Sequence, residues 1–214
     1  MLIATAIFVV LYTVLIFRQI RGGRWRLSER HATIAKYFHY VLLAIIIPIA
    51  ILHFRYGICL RGVWPERIIV IAALLTGIAL LPMSGFKVLR IPERIYFTVM
   101  AFLPTLTGAL LLVPFLGVLI VISVAGQLLP PTIVYYDDNF YRIQTSFKGA
   151  LSAPEVNVYA KHGLYEKILN SNVPYMYHDS IAVYPYPDSI RITRFERNRG
   201  DSIKARTSYT VRNY

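Results

Sequence analysis

Residues 97–129, FTVMAFLPTLTGALLLVPFLGVLIVISVAGQLL, run for 33 positions without a charged side chain. As a single helix this stretch would be about 50 Å long, against a bilayer hydrocarbon core of about 30 Å. Two full crossings would need about 17 residues each and leave none for a turn. The stretch therefore reads as one long, tilted helix, kinked at Pro104 and Pro114. A re-entrant hairpin is the alternative, and the choice decides on which side of a membrane everything downstream lies.

Working toward the N-terminus, three more apolar runs follow the same logic, at about residues 1–17, 37–54 and 68–83. The first lacks a preceding positive charge and is followed by arginines instead of a small-residue cleavage site, so it reads as a retained span and not a signal peptide. The second is opened by Ser28 as N-cap and the approach Glu29–Lys36, with a kink at Pro48. The third lies between Pro65 and the break at Pro82-Met-Ser-Gly. Residues 1–129 thus read as a membrane α-helical bundle of about four transmembrane helices. A hydrophobic content of 56%, with 16% charged residues and a mean hydropathy of +0.51, is outside the range of soluble globular domains.

A formal charge of +12 would suggest nucleic acid in a soluble chain, but its placement argues otherwise. Twelve basic residues and three acids precede residue 130, against eleven and eight after it. The densest group is FRQIRGGRWRLSER, residues 17–30, with Arg18, Arg21, Arg24, Arg26 and Arg30 between two spans. That interval is too short for a nucleic-acid-binding domain, and Gly22-Gly23 breaks any long basic helix. It reads as a topology signal that holds the first loop in the cytoplasm, with Trp25 allowing contact with anionic headgroups. In a multi-pass protein of the cytoplasmic (inner) membrane, four spans then put the N-terminus and the C-terminal domain outside the cytoplasm. The expected partners are the lipid bilayer and other membrane or envelope proteins, with homo-oligomerisation possible and no nucleic acid.

From Pro130-Pro131 onward the pattern changes to short alternating runs between turn residues, with eleven of the sixteen tyrosines. Residues 132–136 with 140–147, 156–161 with 164–169, and 189–196 with 202–211 read as three β-hairpins. Residues 130–214 thus read as a small all-β domain outside the membrane, a sandwich or open barrel.

Chemistry-bearing groups are sparse. Cys59 is the single cysteine, which excludes an intramolecular disulfide, and no metal or cofactor is expected. No Asp, Glu, Lys or Arg lies within the four apolar runs, which argues against pumps and proton-coupled carriers. His39 and His53 are about 21 Å apart along a helix, too far to share a metal, and read as anchors at the two membrane interfaces. Ala73 and Gly77 give the third span a small-residue packing face. Thr105, Thr107 and Gly108 beside Pro104 mark a flexible point, a candidate gate or ligand recess together with Pro114.

In the β domain, Asp137-Asp138-Asn139 reads as a hairpin turn, and Arg199-Gly200-Asp201 as another. His178-Asp179-Ser180 holds the residue types of a hydrolase triad, but triads assemble from distant positions, and no catalytic residue is assigned. Tyr175, Tyr177, Tyr184 and Tyr186, with Arg191, Arg194 and Arg197, have the composition of a recognition surface. The tyrosines would equally serve as the core of a domain poor in Leu and Phe. The expected function is non-enzymatic: a membrane anchor carrying a partner-binding β domain, as a subunit of an envelope assembly. A ligand-gated effector or channel-like protein is the alternative, and a membrane-embedded enzyme a third.

Overall fold

The computed structural model describes residues 2–22, 26–86, 88–113, 115–129, 133–147, 150–151, 155–173, 180–186, 189–197 and 203–212. Arg24, Trp25, Pro114, Tyr175, Tyr177, His178, Asp179 and Arg199-Gly200-Asp201 lie outside them. Contacts divide the chain into two compact units: Met1–Pro48 with Glu66–Leu128, and Ile49–Pro65 with Leu129–Tyr214. This differs from the expected division at residue 130 in one segment, because residues 49–65 belong to the second unit.

The helical unit contains α1 (Leu2–Gly22), the first part of α2 (Glu29–Tyr56), α3 (Pro65–Ser84), α4 (Ile91–Leu111) and α5 (Leu116–Leu128). The first four are long and apolar enough to cross a membrane. They overrun the apolar stretches of the sequence because intrahelical hydrogen bonding continues through polar residues at either end. Ser28 caps α2 as expected, its Oγ accepting from His31 N at 3.4 Å and contacting His31 Nδ1 at 2.7 Å. At the start of α4, Arg90 N donates to Glu93 Oε2 at 2.7 Å, satisfying one of the free amides of the first turn.

The fourth apolar run departs from the expected single kinked helix. It divides into α4 and the 13-residue α5, with Phe115 between them at φ 66°. In a continuous helix Leu110 and Gly117 would stand about 10 Å apart, yet a Cβ on Gly117 would lie 1.6 Å from the Leu110 carbonyl oxygen. The chain therefore turns sharply between the two helices. At about 20 Å, α5 is too short to span a hydrocarbon core.

Leu80, Leu81, Leu89, Phe97 and Ala101 form the buried centre of the helical unit, packed by Ile20, Ala35, Tyr40 and Tyr96. Apolar side chains also cover its outside. Val10, Leu11, Val14, Leu15, Ile47, Leu75, Ile95 and Val99 are each more than half exposed.

The second unit is built of antiparallel strands. β1 (Ile58–Leu60), β2 (Val134–Asp137), β3 (Tyr141–Ser146), β4 (Glu155–His162) and β5 (Tyr165–Val173) form a sheet of order β1-β5-β4-β3-β2. β6 (Ser180–Tyr186), β7 (Ser189–Arg197) and β8 (Ile203–Arg212) form a second, in sequence order. The three expected hairpins are present as β2–β3, β4–β5 and β7–β8. Two strands were not anticipated. β6 carries Pro185 yet pairs along its length with β7, which an edge strand permits. β1 comes from the loop between α2 and α3, where Gly57 at φ 65° ends α2 and donates to His53 O at 3.0 Å, an αL helix cap. The chain then pairs Ile58–Leu60 with β5.

The two sheets share one apolar core. Tyr141, Ile143, Val156, Val158 and Ala160 from the larger sheet meet Ile190, Ile192 and Val211 from the smaller. Alternation dictates what remains: the intervening residues of β3 and β4 stand on the opposite face of the larger sheet.

Candidate functional site

In the helical unit the polar side chains converge on α2, α3 and α4. His39 is fully buried, which corrects its expected place as an interface anchor. Thr76 Oγ1 donates to Ala72 O at 2.8 Å, so at 3.0 Å from His39 Nδ1 it accepts the imidazole proton. This assigns that proton to Nδ1 and leaves Nε2 to accept from the Tyr96 hydroxyl at 2.8 Å. One turn away, Glu93 accepts from Lys36 Nζ at 3.3 Å and from Tyr40 OH at 3.0 Å. Neither network was legible as such, because Lys36 and Glu93 lie just outside the uncharged runs although inside the helices.

The residues expected to pack or gate fall into two places. Ala73 and Gly77 are buried on α3, and a Cβ on Gly77 would lie 2.6 Å from Met100 Cε and 3.0 Å from His39 Cε1. The small-residue face thus makes room for the histidine. Pro104, Thr107 and Gly108 of α4 line a mainly apolar recess of about 480 Å³, together with Ala4, Thr5 and Phe8 of α1 and Ile78 of α3. Of the topology arginines, Arg18 and Arg21 are exposed on the last turns of α1 and Arg30 on the first turn of α2. Arg26 donates from Nη2 to Ile20 O at 3.1 Å, capping the end of α1.

In the β unit, the face of the larger sheet turned away from the apolar core is polar and buried. Arg142 and Gln144 on β3 stand opposite Tyr159 and Asn157 on β4. Arg142 reaches across β4, its guanidinium 5.0 Å from the Tyr159 ring centroid, and its Nη2 donates to Glu166 Oε2 on β5. Glu166 is 0% and Arg142 4% exposed. The second carboxylate oxygen accepts from Gly62 N at 3.2 Å, in the turn after β1. Burial is the main influence on Tyr159 and raises its hydroxyl pKa. Arg142 Nε, Gln144 Oε1 and Asn157 Oδ1 have no hydrogen-bond partner among the described residues. Beside this group Cys59 is buried, its thiol 3.5 Å from Glu166 O, and its sulfur lies within 4.8 Å of a ring nitrogen of His53. The sequence spacing relates His53 to His39 along one helix and carries no signal of its approach to Cys59, which depends on the turn at Gly57.

Of the expected recognition residues, Tyr184, Tyr186 and Arg191 share the outer face of the smaller sheet. Tyr184 and Tyr186 on β6 are each 49% exposed. Register places Tyr184 beside Arg191, which is exposed, and Arg191 beside exposed Thr210. The next row is Tyr186, Ser189 and Arg212; the row on the other side is Ala182, Thr193 and Ser208. Arg194 and Arg197 lie on β7, at pairs with Thr207 and Ile203. At the β2–β3 turn, Asp138 accepts from Phe140 N at 2.7 Å, Tyr141 N at 2.6 Å and Tyr136 OH at 2.7 Å, in keeping with its reading as turn chemistry.

No known protein family, curated protein or solved structure matches the chain.

Proposed function

We propose that the chain is a non-enzymatic, multi-pass protein of the cytoplasmic membrane that anchors a partner-binding β unit, as a subunit of an envelope assembly. The observation that carries this reading is the outer face of β6–β8, where two half-exposed tyrosines stand beside an exposed arginine. Tyr and Arg are enriched among the residues that carry most of the binding energy at interfaces, each pairing a large contact area with polar groups that can hydrogen-bond. The membrane part of the reading is supported by a helical unit that buries His39 and exposes valines, leucines and isoleucines, an arrangement suited to a hydrocarbon solvent.

Strand pairing supports the topology independently of charge. β1 lies between α2 and α3, and it pairs with β5, which follows α5. Both strands must be on one side of a membrane, so the chain crosses an even number of times between residues 60 and 134. Crossings by α3 and α4, with α5 too short to make another, meet that condition. A hairpin in which residues 97–129 cross twice does not. On this reading the arginines of the first loop support an N-terminus and a β unit outside the cytoplasm.

Photo-crosslinking from position 184 in native membranes tests the binding reading. A discrete adduct that disappears with Arg191→Glu is expected, and no adduct of any kind overturns it. Cysteine labelling tests topology: with Cys59→Ser and Ser208→Cys, a membrane-impermeant reagent should label intact cells, and labelling only after permeabilisation overturns the assignment.

A second reading, a ligand-gated effector, is favoured by the recess at Pro104, Thr107 and Gly108. Ligand-dependent dye leakage from liposomes would replace the first reading with this one.

A further inference from the structure

We propose that the turn from α2 into β1 is a metal site, with the His53 imidazole and the Cys59 thiolate as ligands of a Zn²⁺ ion. The site goes beyond the partner-binding reading and does not depend on it.

The two side chains are six positions apart in the sequence. In a continuous helix Cys59 would stand about 9 Å further along the axis and on another face. The chain instead leaves α2 at Gly57, where φ is 65°, and turns into register with β5. Cys59 Sγ thereby comes within 4.8 Å of a ring nitrogen of His53. Both ligands stand on backbone that β5 holds in place. Gly57 N donates to His53 O at 3.0 Å, and Gly57 O accepts from Ile168 N at 2.8 Å. Cys59 is paired with Glu166, and Arg61 N donates to Leu164 O at 2.9 Å. A metal site needs this kind of support, because its ligands must be held near their bound positions before the ion arrives.

The donor chemistry selects the ion. Zinc takes thiolate sulfur at about 2.3 Å and imidazole nitrogen at about 2.0–2.1 Å, so the two donors of one tetrahedral ion stand about 3.6 Å apart. Small side-chain rotations close a separation of up to 4.8 Å to that value. Magnesium and calcium require oxygen ligands, which this pair does not offer. Cys59 is buried, and His53 Nδ1 is a buried atom with no hydrogen-bond partner among the described residues. A buried polar atom without a partner calls for an ion or an ordered water, and beside a thiol, itself a weak hydrogen-bonding group, the borderline-soft ion is the better match. The thiol proton now points to Glu166 O, 3.5 Å from Sγ. Binding releases that proton to solvent, and the ion neutralises the thiolate that forms. Two tetrahedral positions remain for water or a further donor.

The test uses the full, untagged chain in detergent, treated with a chelator and titrated with Co²⁺ as a spectroscopic substitute for Zn²⁺. A saturable sulfur-to-cobalt charge-transfer band that Zn²⁺ displaces is expected. Because Cys59 is the single cysteine, the band identifies this residue in the unaltered chain, without a variant that must fold. Cys59→Ser should abolish the band, and His53→Gln should weaken binding by at least about ten-fold. His31→Gln, at an exposed position in the first turn of α2, is the control for adventitious binding and should bind as the parent does. Zn²⁺ should also raise the unfolding temperature of the parent and leave that of Cys59→Ser unchanged. Absence of the band in the parent, a band retained by Cys59→Ser, or equal weakening by His53→Gln and His31→Gln overturns the proposal. None of these outcomes bears on crosslinking from position 184, so the metal site and the partner-binding reading fail separately.

Discussion

The two units each hold an internal acid–base pair, in opposite surroundings. In the helical unit Lys36 and Glu93 keep 11% and 16% of their side chains exposed, next to a surface of valine, leucine and isoleucine. In the β unit Arg142 and Glu166 keep 4% and 0%, behind strands whose other face is the apolar core. Lys36 is a point charge at the edge of its cluster, whereas Arg142 spreads its charge over the Tyr159 ring and donates to a carboxylate that Gly62 also serves. Desolvation decides the consequence: the less water remains, the more each charge depends on its partner.

The largest effect is therefore expected in the β unit. Glu166→Ala strands the Arg142 guanidinium in the interior and should cost about 3–5 kcal/mol, whereas Arg142→Met with Glu166→Leu should recover most of that loss. Urea unfolding of the full chain in detergent, followed through signals of the β strands, measures both. A double variant as unstable as the single one would show that the pair contributes more than mutual neutralisation. Glu93→Gln in the helical unit keeps a hydrogen-bond acceptor for Tyr40 and for Lys36, whose Nζ also donates to Val88 O at 3.4 Å, so a loss of only about 1–2 kcal/mol is expected. A loss as large as that of Glu166→Ala would erase the contrast between the units.

Packing offers the next test. Gly77→Val places branched carbon where Met100 and the His39 ring already are, with an expected cost of about 1–3 kcal/mol. Gly77→Ala should cost less, because the Met100 methyl group at 2.6 Å ends a flexible side chain. Tyr96→Phe removes the hydroxyl that donates to His39 Nε2 and should cost about 1 kcal/mol. Thermal unfolding of the helical signal in detergent orders the three. If Tyr96→Phe is more disruptive than Gly77→Val, hydrogen bonding and not close packing holds the α2–α4 cluster.

These sites also mark where sequence stops being informative. Helices and hairpins were legible because hydropathy and alternation are local: residues 68–83 are uncharged, and Asp137-Asp138-Asn139 separates two alternating runs. Burial of a polar strand face is not local. Arg142, Gln144, Asn157 and Tyr159 occupy alternate positions that would read equally well as a solvent face, and only the register across β3, β4 and β5 brings the arginine to Glu166. β1 was missed because three residues between two long helices show no alternation, and their partner strand lies more than 100 residues away. The turn after α4 enters the sequence reading only as the hairpin alternative to a kinked helix, because Pro114 permits a kink or a break and the close approach of Gly117 to Leu110 is a tertiary fact.

The smallest expected effect belongs to the β2–β3 turn and sharpens the comparison by separating a half-buried turn acid from the buried pair. Burial alone would raise the pKa of Asp138, but the Tyr136 hydroxyl, the Tyr141 and Phe140 amides and nearby Lys161 together hold it below the usual carboxylate value. A carboxylate whose folded pKa is depressed contributes stability that is present above its unfolded pKa, about 3.9. That contribution is lost as pH falls through the lower folded value. The β unit should therefore lose this increment below about pH 4, and Asp138→Asn should remove that part of the acid dependence while still offering an acceptor to the turn amides. Amide shifts of Phe140 and Tyr141 followed by NMR from about pH 6 downward report the titration directly. A midpoint at or above the unfolded value would mean that desolvation outweighs the four favourable contacts. Because Asp138 is only half-buried, solvent screening keeps its stability increment below that of the fully buried Glu166.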